Sequence, residues 1–319
     1  MPATSDHQDE TTPAFAAARR MLRRRGGASF ATFFLPRAKR DAAAAVSACL
    51  LMTRDAIASS AGGGGCCSGG AGGGEDVAAV VRARVEDVFA GRVELPLPQF
   101  RDETQWTLLA MAESARRFEI PRRPMLELVD AWSNDVNVSR YATWRSVEGH
   151  CRATGGNIAV LMTAILGATH SDAGHYAMQI GAAARWIEIL CNLKADLARG
   201  RVYWPIEDLA RCRCGEKDLL AGRVTNGMDE LMRLGFARAR EMLRAGAEGL
   251  CWLASDGSRM AAASFVAGQL ATLDALQRRG AGILTGEPLR VPTSLRLRRL
   301  PDAWRLAKRQ AAQPLPRLH

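Results

Sequence analysis

Apolar residues recur along this chain at spacings of three and four with polar residues between them, and they seldom alternate singly, so the pattern predicts helices rather than strands. The clearest stretches run from Pro36 to about Ile57, from Glu75 through Val80, Val81, Val85 and Phe89, and over residues 101–117, 123–134, 143–168, 172–198, 227–254, 258–279 and 301–311. Several ends carry start or stop chemistry. Pro36 suits a first helical turn, Glu75 and Asp76 place negative charge at an amino-terminal end, and Gly280 with Gly282 closes the last long helix. Ala61 to Gly74 is glycine broken only by alanine, cysteine and serine, so it reads as a flexible loop, without the lysine and spacing of a phosphate-cradling one. The longest uncharged apolar run, Ile158 to Ala168, is too short to span a bilayer and reads as a buried helix. The predicted fold is all-α: one helical bundle over residues 29–311, after a disordered polar and basic segment 1–28 and before a tail 312–319.

Composition narrows the class. With 319 residues, 48% apolar and 24% charged, the chain is not a collagen, a disordered chain or a disulfide scaffold. Its net charge of +10 sits at the ends: residues 1–41 hold eight basic and four acidic groups, residues 290–319 hold eight and one. Such ends attract anionic lipid or phosphate esters, and without interleaved aromatics they point away from a nucleic-acid partner. Residues 1–12 are polar and acidic, so no signal peptide is expected, and the eight cysteines are expected to be reduced thiols in a cytoplasm. Cys212 with Cys214, and Cys66 with Cys67, lack the histidines that would complete a zinc site, and neither zinc nor a nicotinamide is expected.

Candidate chemistry concentrates in IGAAARWIEILCNLKADLARGRVYWP, residues 180–205. On a helix, Arg185, Glu188, Asn192 and Asp196 are spaced three, four and four apart and share one face. Apolar neighbours suggest a stripe facing an interior cleft, and a salt-bridged surface stripe fits the same spacing.

Residues 129–162, VDAWSNDVNVSRYATWRSVEGHCRATGGNIAVLM, resemble the squalene and phytoene synthases, particularly the bacterial hydroxysqualene synthases with their D-V-T-x-T-R-Y-A-T-W and Y-C-R-R. GRVYWPIEDLARCRCGEKDLLAGRVT and SFATFFLPRAKRDAAAAVSACLL resemble two further blocks of that family in the same order, so the likeness runs from about Ser29 to Arg309. It implies an all-helical isoprenoid synthase domain around a central cavity. There, two aspartate-rich motifs on facing helices hold magnesium ions that bind a prenyl diphosphate. Magnesium prefers clustered carboxylates, and a diphosphate leaves only when its developing charge is neutralised. In the hydroxysqualene synthases, presqualene diphosphate is ionised and the cation is captured by water.

This chain departs from the family at those motifs. Arg54, Asp55 and Ala58 stand where the family has D-D-x-x-D, and Arg185, Glu188, Asn192 and Asp196 replace its Q-x-x-N-x-x-x-D-x-x-x-D. Only Asp55 and Asp196 remain as family metal ligands, so magnesium is expected to bind weakly or not at all. Arg54 and Arg185 are expected to pair with Asp196 and Glu188 instead. The resemblance further implies substrate contacts from Ser29, Arg201 and Tyr203 alongside Arg185 and Glu188. It makes Asp135 a structural aspartate and puts His150 where the family has tyrosine. His170 and His175 match no motif. The expected function is binding of, or impaired catalysis on, farnesyl or presqualene diphosphate in triterpenoid and hopanoid synthesis. The alternative is an inactive subunit beside an active paralogue. Either form is expected in the cytoplasm, with basic ends able to meet the inner membrane face.

Overall fold

The computed structural model describes residues 6–25, 30–62, 76–93, 102–135, 138–284, 286, 289 and 292–308, and among them no strand forms beyond one isolated bridge between Ala168 and Leu253. Ser29, Cys66, Cys67 and most of the glycine-rich stretch lie outside the described residues. Segment 1–28, expected to be disordered, instead contributes helix α1, Asp6–Arg24. Its alanines Ala14 and Ala18 pack with Ala45, Ala48 and Ala110, and such small side chains let helices approach closely. An alanine stripe has little hydrophobic contrast, which is why periodicity missed it. Arg19 bonds Asp41, and Arg24 reaches Glu103 at 2.9 Å.

Helix α2 (Arg37–Gly62) is long and apolar enough to cross a membrane, but it packs against α1, α3 (Val77–Phe89), α4 (Glu103–Arg117) and α5 (Arg122–Asp135), and its most apolar window is 56% buried. Local chemistry fixes the starts. The Asp76 carboxylate accepts from the Ala78 amide at 3.1 Å and Asp102 from the Gln105 amide at 2.8 Å, each filling one orphan donor of a first turn.

The helix expected over 143–168 is three pieces: α6 (Trp144–Cys151), a π turn (Arg152–Gly156) and α7 (Asn157–Leu166). The wide turn lies where Gly155 meets Gly181 so closely that a Cβ on either would stand 2.3 Å from the other's carbonyl oxygen. The helix expected over 172–198 breaks at Asn192 (φ −100°, ψ 7°) into α8 (Ala173–Cys191) and α9 (Leu193–Ala198). Asparagine competes with helical bonding through its own amide, which favours a break there. Short helices α10 (Ile206–Arg211) and α11 (Glu216–Leu220) follow, then α12 (Asn226–Ala247) and α13 (Ser258–Arg279). Gly280 ends α13 with φ +52°, as its position predicts, and α14 (Thr293–Leu297) and α15 (Leu300–Lys308) complete the described chain.

Two cores meet along α7. One lies under α2 to α5, around Met111, Met125, Leu128 and Leu161; the larger surrounds α8, α12 and α13, with Trp186, Trp204 and Phe236. The segment RVYWP is a strap whose Val202, Tyr203 and Trp204 are buried in the larger core. The Val202 amide donates to the Ser139 carbonyl at 3.0 Å and the Ile206 amide to the Tyr141 carbonyl at 3.0 Å, which ties residues 201–206 beside residues 139–141. Asp208, buried, bonds both Arg211 and Arg238, and the Arg238 guanidinium lies 4.1 Å from the Trp144 ring centroid. These contacts fix where Arg201 and Tyr203 point.

Candidate functional site

Three elements converge on the Asp135 carboxylate at the end of α5: the strap, the segment with Tyr141, and α6. Arg201, on the strap, donates to Asp135 Oδ2 at 3.0 Å, to the Asp135 carbonyl at 2.7 Å and to Tyr203 Oη at 3.0 Å. Tyr203 Oη lies 3.3 Å from Asp135 Oδ2, and Tyr141 Oη donates to Oδ1 over a longer 3.4 Å. The two tyrosine rings stack at 5.7 Å between centroids, and His150 of α6 lies 5.4 Å from Tyr203, its Nδ1 3.5 Å from Asp135 Oδ1. From α8, the Arg185 guanidinium stands 5.8 Å from the Tyr203 ring centroid and donates to Glu188 at 3.0 Å. Asp196 completes the group, bonded by Arg199 at 2.8 Å. Three guanidinium groups and three carboxylates thus share one site, which is close to neutral.

Burial sets the electrostatics. It pushes the Tyr203 hydroxyl up, Asp135 adds to this, and it raises the Asp196 carboxyl against the pull of Arg199. Burial also works against the Arg185 charge, but Glu188 and Tyr203 outweigh it and hold the guanidinium protonated. His150 is pushed down to about 4, chiefly by burial and against the pull of Asp135. Two buried nitrogens in this group have no hydrogen-bond partner: Arg185 Nε and His150 Nε2.

The His150 environment makes stability depend on pH. An unfolded histidine titrates near 6.5, so above that pH both states are neutral and the contribution is whole. As pH falls from about 6.5 towards 4, the unfolded chain takes up a proton that the folded chain refuses, and stability drains away. His150→Phe should lose about 2–3 kcal/mol less than the parent between pH 7.5 and 4.5 in denaturant titrations, whereas equal losses would put the effect elsewhere.

The first motif stands apart from this cluster. Asp55 pairs with Arg25, just beyond α1, while Arg54 and Ala58 are exposed on α2. The expected Arg54–Asp196 pair is therefore not formed, because Asp196 is held by Arg199 three residues away on its own turn; the expected Arg185–Glu188 pair is formed. Among the described residues no three histidine, cysteine or acidic side chains gather as metal ligands. Asp55 and Asp196, which the resemblance marks as metal ligands, are each paired with an arginine. Asn192 contributes the helix break rather than a side-chain contact to the cluster.

Reasoning from sequence missed Tyr141 and the central role of Asp135, although both lie in the block that carries the family likeness. His170 stacks on Trp252 at 4.3 Å and His175 meets the Tyr176 edge, away from this group. Cys212 and Cys214 are buried thiols, both pushed up by burial. An apolar cavity of about 50 Å³ opens between α2, α3, α4 and α5, lined by Met52, Ala56, Val85, Phe89, Met111 and Met125, with Arg84 among its walls.

The model of the squalene/phytoene synthase family matches residues 23–298. The chain belongs to that family. It is 27% identical to the phytoene synthase of Arthrospira platensis over 186 residues, 54% of this chain and 57% of that one. It is also 27% identical to the 15-cis-phytoene synthase of Synechocystis sp. over 233 residues, 69% and 66% of the two chains. The matched stretch thus spans from about half to two thirds of these relatives' length. Among solved structures, a dehydrosqualene synthase in complex with ligand superposes with a TM-score of 0.80 at 18% identity, covering 94% of this chain and 98% of that one. Squalene synthase HpnC from Alicyclobacillus acidocaldarius superposes with 0.71 at 22% identity, over 85% and 95%. These likenesses establish the all-α isoprenoid synthase fold.

Proposed function

We propose that this chain binds a prenyl diphosphate, farnesyl or presqualene diphosphate, at the Arg185–Arg201–Tyr203 cluster, and that it ionises the bound ligand slowly. The observation that carries this is the pairing of both surviving family aspartates with arginine, Asp55 with Arg25 and Asp196 with Arg199. Magnesium clusters need several carboxylates with uncommitted lone pairs, and a guanidinium close by repels the ion. Arginine instead binds phosphate oxygens directly through charge-assisted, bidentate hydrogen bonds. Arg185 has an uncommitted Nε, and its partner Glu188 is 47% exposed, so a phosphate oxygen can displace that carboxylate into water.

The prenyl tail is assigned to the α2–α5 cavity. At about 50 Å³ this is too small for a prenyl chain, so entry requires its methionines to move, which their unbranched side chains allow. The VNVSRYATW and HCR segments support placement in the hydroxysqualene branch of triterpenoid and hopanoid synthesis. A second reading, a ligand-holding subunit beside an active paralogue, is favoured by the same arginine pairing. Diphosphate release from farnesyl or presqualene diphosphate, with and without magnesium, separates the cases. The expected result is slow release with little stimulation by magnesium. Fast, magnesium-dependent turnover abolished by Asp196→Ala contradicts the proposal, and retained binding with no release selects the partner subunit.

A further inference from the structure

Helices α14 and α15 carry a face that the arginine cluster does not use. The inner side of α15 is anchored by buried Ala303 and by Arg299, which bonds Asp274 on α13 and Asp302 at 2.8 Å. Its outer side carries Trp304, 54% exposed, and the neighbouring α14 carries Leu297, 41% exposed. Arg296, Arg298, Arg305 and Lys308 are exposed on these two helices and the turn between them, and Lys308 Nζ sits 3.8 Å from the Trp304 ring centroid. Trp304 and Lys308 are four residues apart, so they share a face of the helix. Asp302 is the only acidic residue between 289 and 308, and Arg299 and Arg305 already hold it.

A single exposed leucine is ordinary on a soluble protein, and so is a solvated arginine. An exposed indole and leucine on two helices rich in exposed cations, whose single acidic residue is already paired, form a different surface. The amphipathic indole suits the headgroup level of a bilayer, basic side chains draw anionic headgroups, and a lysine lying along an aromatic ring can lift its ammonium to the water while the ring sinks. We infer that the α14–α15 face docks on an anionic lipid surface, with Trp304 and Leu297 entering the headgroup layer and Arg296, Arg298 and Lys308 meeting lipid phosphates. The inference stands apart from the proposed catalysis and holds whether or not the chain turns over a ligand.

Vesicle flotation of the full chain tests it, with phosphatidylcholine alone and with roughly one-third phosphatidylglycerol added, at low and high salt. Binding should require phosphatidylglycerol and weaken at high salt. Arg296→Gln with Arg298→Gln should lower the partition coefficient about twenty-five-fold, about fivefold per cation removed. Trp304→Ser should lower it about tenfold. All three side chains being exposed, the variants should melt like the parent by circular dichroism, so lost binding is not lost folding. Equal binding to neutral vesicles overturns the inference, as does no binding to anionic ones. So do folded variants that bind like the parent; a purely protein partner for this face would give the second of these results.

Discussion

Asp135→Ala is expected to lower unfolding free energy by about 3–5 kcal/mol, the usual cost of removing one partner from a buried charge pair. The Asp135 side chain is only 13% exposed, and it accepts from Arg201, Tyr203 and Tyr141 while lying 3.5 Å from His150. Without it, the Arg201 guanidinium and two phenol hydroxyls lose their common acceptor in a place that water reaches poorly. Asp135→Asn keeps shape and some hydrogen bonds but removes the charge, so it should fall between parent and alanine. Asp130→Ala is the control. Asp130 pairs with Arg82 across exposed surface, and such pairs contribute under about 1 kcal/mol. Denaturant titration checks all three, and equal losses for Asp135→Ala and Asp130→Ala would remove Asp135 from the centre of the cluster.

Most helices were legible because apolar spacing reports burial on one face: the predicted 101–117 and 123–134 appear as Glu103–Arg117 and Arg122–Asp135. The exceptions share a cause. Helix α1 is seated by alanine, which hardly differs from its surroundings on any hydrophobic scale. The π turn lies at a glycine crossing and the other break at a single asparagine, neither of which has a period. At the site, spacing correctly gathered Arg185 and Glu188, since three residues make one helical turn. The Asp196–Arg199 pair has the same three-residue spacing and was open to the same reasoning, whereas Arg25 taking Asp55 depends on how two helices pack and has no local period. Asp135, a residue of no obvious chemistry in the sequence, became the centre because the strap carries Arg201 and Tyr203 to it.

The second large effect concerns Arg185, since in the proposed function arginine rather than magnesium holds the diphosphate. A hydrogen bond to a charged group contributes about 1.5–3 kcal/mol, and a bidentate guanidinium lies at the upper end of that range. Arg185→Gln should therefore weaken ligand binding about a hundredfold; it removes the pair to half-exposed Glu188 and the guanidinium over the Tyr203 ring, so a melting curve first establishes that the variant is folded. The measurement is calorimetric titration of the full chain with farnesyl diphosphate in the presence of a magnesium chelator, then repeated with excess magnesium. Binding should persist in chelator within about threefold of its strength with magnesium, and should drop about a hundredfold in Arg185→Gln under both conditions. Binding that appears only with magnesium, or an Arg185→Gln variant that binds like the parent, contradicts the account.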